Sequence, residues 1–309
     1  MRVLVTGGLG FIGWALTKSL LNAGHDVDVL TRRPDAVGPA GAEVVVADLR
    51  DVDALGKVVA AGQYDGICHL AALTRGRDSI ADPLTYWAVD FGGTFDLLSA
   101  VTTSGRTTPC RFVFASTNIV YGSQFDGALS EDLPPHPESP YAAAKAAAER
   151  LISDVAGGTG AIQATILRVF NAAGAVDGRP DRDTARLIPN VLRAARGELP
   201  ALSVNGDGSV RRDYTHVLDV AEAFRLALES SEAGTRTYNV GTGTGASITE
   251  LIAAAEEVTG RTIPINRLPP KPEPHTSVAD PTRIRTELGW QPEHSDLTTI
   301  LRSAWEAGA

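Results

Sequence analysis

Of the six tyrosines in the chain, only Tyr141 has a lysine four residues later, in "SPYAAAKAAAER". Residues four apart share one face of a helix, so Tyr141 and Lys145 are expected side by side. A free phenol, with a pKa near ~10, is a poor base at neutral pH. An adjacent ammonium favours the phenolate, as does the positive charge of an oxidised nicotinamide. A tyrosine so placed can take the proton of a carbinol while hydride leaves the carbon. Tyr-x-x-x-Lys alone is common on helix surfaces, but its surroundings strengthen it here. Upstream, "FVFASTNIVYG" reads as a strand ending at Ser116 and Thr117. Hydroxyls at the C-terminal edge of a sheet face ligand and can bond the same substrate oxygen.

A second chemical signal opens the chain. Gly7, Gly10 and Gly13 of "RVLVTGGLGFIG" form G-x-x-G-x-x-G between a strand and a helix, with Phe11 and Ile12 in the same turn. Glycine permits the tight turn and lets the backbone approach a pyrophosphate at the positive helix end. In this context the pattern implies a bound dinucleotide. An acid about 20 residues on would bind the adenosine ribose of NAD, whereas an arginine accommodates the 2′-phosphate of NADP. "VDVLTRRPD" has Thr31, Arg32 and Arg33 there, and Asp28 stands three residues too early. NADP is therefore favoured over NAD, the alternative being that both arginines are solvated loop charges. Asp48, with Leu49 beside it, is placed either to meet the adenine edge or to cap the helix of "DVDAL".

These residues need a scaffold, and the periodicity supplies one. "RVLVT", "VDVL", "EVVVAD", "YDGICHLAA", "RFVFAS" and "ATILRVF" are apolar on both faces, as strands of a covered parallel sheet are. Helical patterns such as "FIGWALTKSLLNAG", "DVDALGKVVAAG" and "TFDLLSAVTTSG" alternate with them, each ended by glycine. The fold class expected is α/β: a doubly wound (Rossmann) parallel sheet with a smaller C-terminal substrate-binding lobe. Residues 1–171 with about 213–241 are expected to form the dinucleotide domain. About 172–212 and 242–309 would form the lobe.

Bulk properties narrow the rest. A net charge of −9 and a pI near 5.2 disfavour a nucleic-acid partner. No apolar run approaches the roughly 20 residues that span a bilayer. Cys68 and Cys110 lie in apolar stretches and are expected as core thiols, and no Cys/His spacing suggests a metal. The chain opens directly on a strand, so a cytoplasmic protein is expected.

The motifs together resemble the extended short-chain dehydrogenase/reductase family of nucleotide-sugar enzymes. The resemblance runs through "TGGLGFIG", "ADLRD", "HLAAL", "FVFASTNIVYG", "SPYAAAK", "LRVFNAAG", "RRDYTHVLDVAEAF", "YNVGTG" and "ADPTRIRTELGWQP". It implies Thr117, Tyr141 and Lys145 as the catalytic set and Leu70, Ala71 and Ala72 along the cofactor. It also implies Asn171 and Arg212 on the substrate diphosphate, and a homodimer paired through the Tyr141 helix and the one before it. Sugar-nucleotide dehydratases of the family carry acids just after the catalytic Thr, where this chain has Asn118 and Ile119. A 4-epimerase is therefore expected, with an NADPH-dependent 4-keto-sugar reductase as alternative and a catalytically silent NADP-binding regulator behind it.

Three departures stand out. Asp90 replaces the family's usual Asn near the catalytic lysine; it either raises the pKa of Lys145, alters the proton relay, or is a surface acid without a role. The arginine that the family usually offers to the diphosphate shortly before "AD" is missing from "RLPPKPEPHTSVAD", so either Arg267 or Lys271 serves or the contact is lost. Arg75 and Arg77 occupy a loop that faces substrate in the family, where Arg75 could bind an anion or both could be solvated charge.

Overall fold

Six of the apolar runs become hydrogen-bonded neighbours. The computed structural model describes residues 1–231 and 234–308. Its chain divides into two units, one comprising 1–122, 134–169 and 221–238, the other 123–133, 170–220 and 239–309.

The first unit is built on a seven-stranded sheet. In spatial order the strands are Thr235–Val240, Ile162–Val169, Cys110–Thr117, Gly66–His69, Arg2–Thr6, Asp26–Thr31 and Glu43–Val46. The last six pair in parallel. The chain moves outward in one direction from Arg2–Thr6, then crosses back to Gly66–His69 and proceeds the other way. That reversal is a switch point, where the C-terminal ends of neighbouring strands diverge and leave a crevice for ligand. Val3, Leu4, Val5, Phe112 and Phe114 have no exposed surface. Cys68 and Cys110 are free thiols in this core.

In the second unit, Gly245–Ser247, Arg211–His216, Thr276–Ala279 and Gly127–Leu129 form a sheet in that order, and Asn171–Ala173 also pairs with Arg211–His216. Helices Leu187–Ala195, Ile248–Thr259 and Leu297–Glu306 bury Val191, Leu192, Leu251, Ala255, Ile300 and Leu301 completely. Residues 123–133 belong here because Gly127–Leu129 pairs with Thr276–Ala279 and Glu131 accepts the Asn239 N–H at 2.7 Å. Asp213, wholly buried, accepts the N–H groups of Thr242, Gly243 and Ala279 and the Thr242 hydroxyl, tying the turn at Thr242 and Gly243 to this sheet. Among the described residues no helix is long and apolar enough to cross a membrane.

Candidate active site

The glycine turn lies at the switch point of the first unit. Gly7 has φ +71°, and a Cβ there would sit 2.7 Å from the Ala71 nitrogen. A Cβ on Gly13 would come within 2.1 Å of the Gly7 carbonyl oxygen and 2.7 Å of Gly8 Cα. Only glycine fits both positions, which leaves an open backbone surface at the N-terminus of helix Phe11–Asn22. No side chain caps that helix, so its first N–H groups are available to an anion. A dinucleotide pyrophosphate fits this cradle.

The segment leaving the neighbouring strand is held just as firmly, by residues the motifs did not single out. Thr6 Oγ1 accepts the Ala71 N–H at 3.2 Å and lies 2.6 Å from His69 Nδ1. His69 Nε2 lies 3.0 Å from Thr94 Oγ1, which itself donates to the Asp90 carbonyl at 2.7 Å. Because the Thr94 hydroxyl proton is committed to Asp90, its oxygen accepts from His69. His69 therefore carries its proton on Nε2, and Nδ1 accepts from Thr6. Burial pushes its pKa down to about 3, and the charge of Lys145 adds to this, so the ring stays neutral. One hydrogen-bonded chain thus links the cofactor-side backbone at Ala71 to the helix carrying Asp90.

At the adenosine side the structure excludes one of the two readings of Asp48, the helix cap. Asp48 does not cap a helix; Asp51 does, accepting the Ala54 N–H at 3.0 Å. Asp48 instead takes Arg50 in a two-pronged bond at 3.1 and 2.9 Å, and that arginine holds its carboxyl down at about 2. Thr31 Oγ1 accepts the Arg33 N–H at 3.2 Å. Arg32 to Ala36 line an open hollow of about 470 Å³. Asp28, buried in its strand, is occupied by Arg2 at 3.0 Å and the Tyr64 hydroxyl at 2.6 Å.

Helix Pro140–Thr159 positions the Tyr/Lys pair. Ser139 accepts the Ala142 N–H as N-cap, Pro140 opens the first turn, and Gly160 in the left-handed region ends it. Tyr141, Lys145 and Glu149 recur every four residues and are all buried on one face. Lys145 Nζ donates to the Ala115 carbonyl at 2.8 Å and lies 4.5 Å from the Phe114 ring centroid. The lysine is therefore pinned to the strand that ends in Thr117. Burial holds its ammonium below the usual range, and the Asp90 and Glu149 carboxylates offset this in part. The Tyr141 ring packs edge-on against Tyr86, 6.3 Å between centroids, and its N–H donates to Ser79 Oγ at 3.2 Å. Thr117 closes the strand and its Oγ1 accepts the Ile119 N–H at 3.3 Å.

Ser116 points differently. Its hydroxyl donates to Glu149, whose carboxylate also receives Arg168 at 3.1 and 2.7 Å. The Arg168 guanidinium lies 4.8 Å from the Tyr121 ring centroid. Successive strand residues face opposite ways, which is why Phe114 and Ser116 meet the helix. The Glu149–Arg168 pair escaped the motif reading, although the i+4 spacing from Lys145 would have found the glutamate.

The loop of Arg75 lies by Tyr141: a Cβ on Gly76 would sit 3.7 Å from the Tyr141 ring. Arg75 gives its carbonyl to the Tyr86 hydroxyl at 2.8 Å and has Asp78 3.7 Å from its guanidinium. In the second unit, Asn171 Nδ2 donates to the Asp213 carbonyl at 2.8 Å. Arg212 donates to the Arg211 and Pro274 carbonyls and pairs with Glu273. Arg267 donates to the Gly206 carbonyl at 3.2 Å. Asp90 is 1% exposed and so is not a surface acid.

The model of the NAD dependent epimerase/dehydratase family matches residues 3–241. The chain belongs to this family. It is 37% identical to a UDP-glucose 4-epimerase of Corynebacterium glutamicum, over 99% of this chain and 95% of that protein. Among solved structures it is similar to a UDP-glucose 4-epimerase from Stenotrophomonas maltophila with bound NAD and formylated UDP-arabinopyranose. The TM-score is 0.92 at 32% identity, covering 99% of this chain and 97% of the other. The Brucella ovis UDP-glucose 4-epimerase in complex with NAD gives 0.91 at 33%, with the same two coverages. The resemblance drawn from the motifs and the doubly wound parallel fold expected from the periodicity are both borne out.

Proposed function

We propose that the chain interconverts UDP-sugars epimeric at C4, in the manner of the relatives it is similar to. It is an NAD-dependent nucleotide-sugar epimerase. Bound dinucleotide supplies a hydride acceptor that returns what it takes within one turnover, so no external reductant is consumed. Gly7, Gly10, Phe11, Ile12 and Gly13 would hold its pyrophosphate, Leu70 to Ala72 its length, and Asp48 and Leu49 its adenine end. Tyr141 removes the proton of the sugar hydroxyl as C4 is oxidised and returns it after the keto sugar has turned over. Lys145 favours the phenolate by its charge, and Thr117 orients the oxygen. Ser116 contributes indirectly, through its bond to Glu149. Asn171, Arg212 and Arg75 are proposed for the anionic part of the substrate.

The observation that carries this reading is the anchoring of Lys145. Its bond to the Ala115 carbonyl seats the Tyr141 helix on the strand ending in Thr117. The test is Tyr141→Phe, assayed by conversion of UDP-galactose to UDP-glucose. Activity should fall by at least about 10²-fold, the contribution of a positioned acid/base, while NAD still binds. A variant within tenfold of the parent would remove Tyr141 from the reaction.

A second reading, an NADPH-dependent 4-keto-sugar reductase, is favoured by one feature, the Thr31–Arg32–Arg33 loop and its hollow. Mass spectrometry of cofactor released on denaturation separates the two. Retained NAD supports the epimerase, and an empty protein that prefers NADPH supports the reductase. A cytoplasmic homodimer completes the proposal. The buried free thiols suit a reducing compartment. Ile80, Leu84 and Phe95, on the helices between 78 and 102, are 68%, 80% and 50% exposed, apolar side chains that a second copy could cover.

A further inference from the structure

Asp90 sits where no isolated carboxylate should. It belongs to a π-helical turn, Trp87–Gly92, inserted between the short helix Pro83–Tyr86 and the helix Gly93–Thr102. Such turns are rare and are often found at functional sites. One oxygen, Oδ1, accepts the Leu73 N–H at 2.7 Å. The other, Oδ2, is buried and has no hydrogen-bond partner among the described residues. The charged group that acts on it is Lys145, across from it on the Tyr141 helix and itself 2% exposed. Tyr86 feels Asp90 from the adjoining helix, while Glu149 and the neutral His69 flank the lysine. A buried carboxylate with one unpartnered oxygen is costly unless something uses its charge or its proton.

We propose that Asp90 is a positioning residue that sets the effective charge of Lys145, and through it the basicity of Tyr141. Ionised, Asp90 opposes the ammonium and weakens its pull on the phenolate. Protonated, it leaves the ammonium unopposed. The proton rests on Oδ2, since Oδ1 is committed to Leu73. The same carboxyl anchors the cofactor-side backbone at Leu73, as Thr6 anchors Ala71, so it joins the lysine to the dinucleotide segment. Burial pushes the Asp90 carboxyl up to about 6, so the two states exchange around that pH. An asparagine would keep the bond to Leu73 and lose the switch. This inference rests on the proposed roles of Tyr141 and Lys145.

The test is Asp90→Asn. On the acid limb of kcat/KM for UDP-galactose, the variant should match the parent near pH 5, where Asp90 is neutral. Above about pH 6 it should exceed the parent by roughly three- to tenfold, a displacement of the limb by ~0.5–1 unit to lower pH. A second readout needs no turnover. A carboxyl whose folded value is raised lends stability below its unfolded value, and loses it as pH rises through about 6. The parent should therefore gain melting temperature relative to Asp90→Asn as pH is lowered from about 8 to 5. A uniform, pH-independent change in kcat/KM, or melting curves that stay parallel across this range, overturns the proposal. Tyr141→Phe keeps the two ideas apart. If it stays active the catalytic assignment fails, whereas the melting comparison still reports on Asp90 alone.

Discussion

Removing one charge from the Glu149–Arg168 pair should show how the catalytic strand is held. The side chains are 8% and 7% exposed, the guanidinium grips the carboxylate with two nitrogens, and Ser116 donates to the same carboxylate. Glu149→Gln keeps the shape and the Ser116 contact but strands a guanidinium in the interior. Breaking a buried pair from one side costs about 3–5 kcal/mol, because the remaining charge is uncompensated. At roughly 2–4 °C per kcal/mol for a large domain, melting should fall by about 6–20 °C. Arg168→Met should cost a similar amount by stranding the carboxylate. The double variant removes both charges and should be less destabilised than either single variant, so the coupling should be at least as large as one single loss, about 3–5 kcal/mol. Thermal melts and urea unfolding of the four proteins at one pH supply the cycle. The reasoning is refuted if each single variant loses under about 1 kcal/mol, or if the double variant loses their sum.

Two further outcomes follow from contacts already described. Gly13→Ala should reduce dinucleotide binding by at least about 100-fold by calorimetry, since its Cβ would overlap the Gly7 carbonyl at 2.1 Å, a contact only backbone movement can relieve; binding within threefold of the parent would show that the turn relaxes. Glu273→Gln frees Arg212 from its carboxylate partner, so UDP should bind about three- to tenfold more tightly at low salt, with the gain fading as salt screens it. Unchanged affinity at both salt concentrations would remove Arg212 from the diphosphate site.

The dinucleotide half of the fold was legible because its signals are local. A strand of apolar residues, a glycine turn and an amphipathic helix each follow from neighbours in sequence, so the six parallel strands and helices Phe11–Asn22, Val52–Gly62 and Gly93–Thr102 fall where the periodicity put them. Ser139-Pro140 and Gly160 bracket the Tyr141 helix by capping chemistry alone. The i+4 rule then places Tyr141, Lys145 and Glu149 together without any tertiary information.

What could not be read locally were partnerships across long separations. Asp48 could be read as a cap or as an adenine contact, and the cap is excluded because Arg50 takes its carboxylate and Asp51 caps instead, a choice between two nearby acids that depends on where the helix begins in space. Asp28 looked misplaced for the ribose and proves to be a buried partner of Arg2 and Tyr64. His69 is an ordinary residue in "HLAA" until the neighbouring strand brings Thr6 and helix Gly93–Thr102 brings Thr94 to its two nitrogens. Gly127–Leu129 is too short to read as a strand; it becomes one by pairing with Thr276–Ala279, about 150 residues away. Asp90 is the sharpest case. The substitution is visible in the chain, but whether it is a solvated acid or a buried one beside Lys145 is settled by packing, because burial is a property of the folded surroundings and not of the residue.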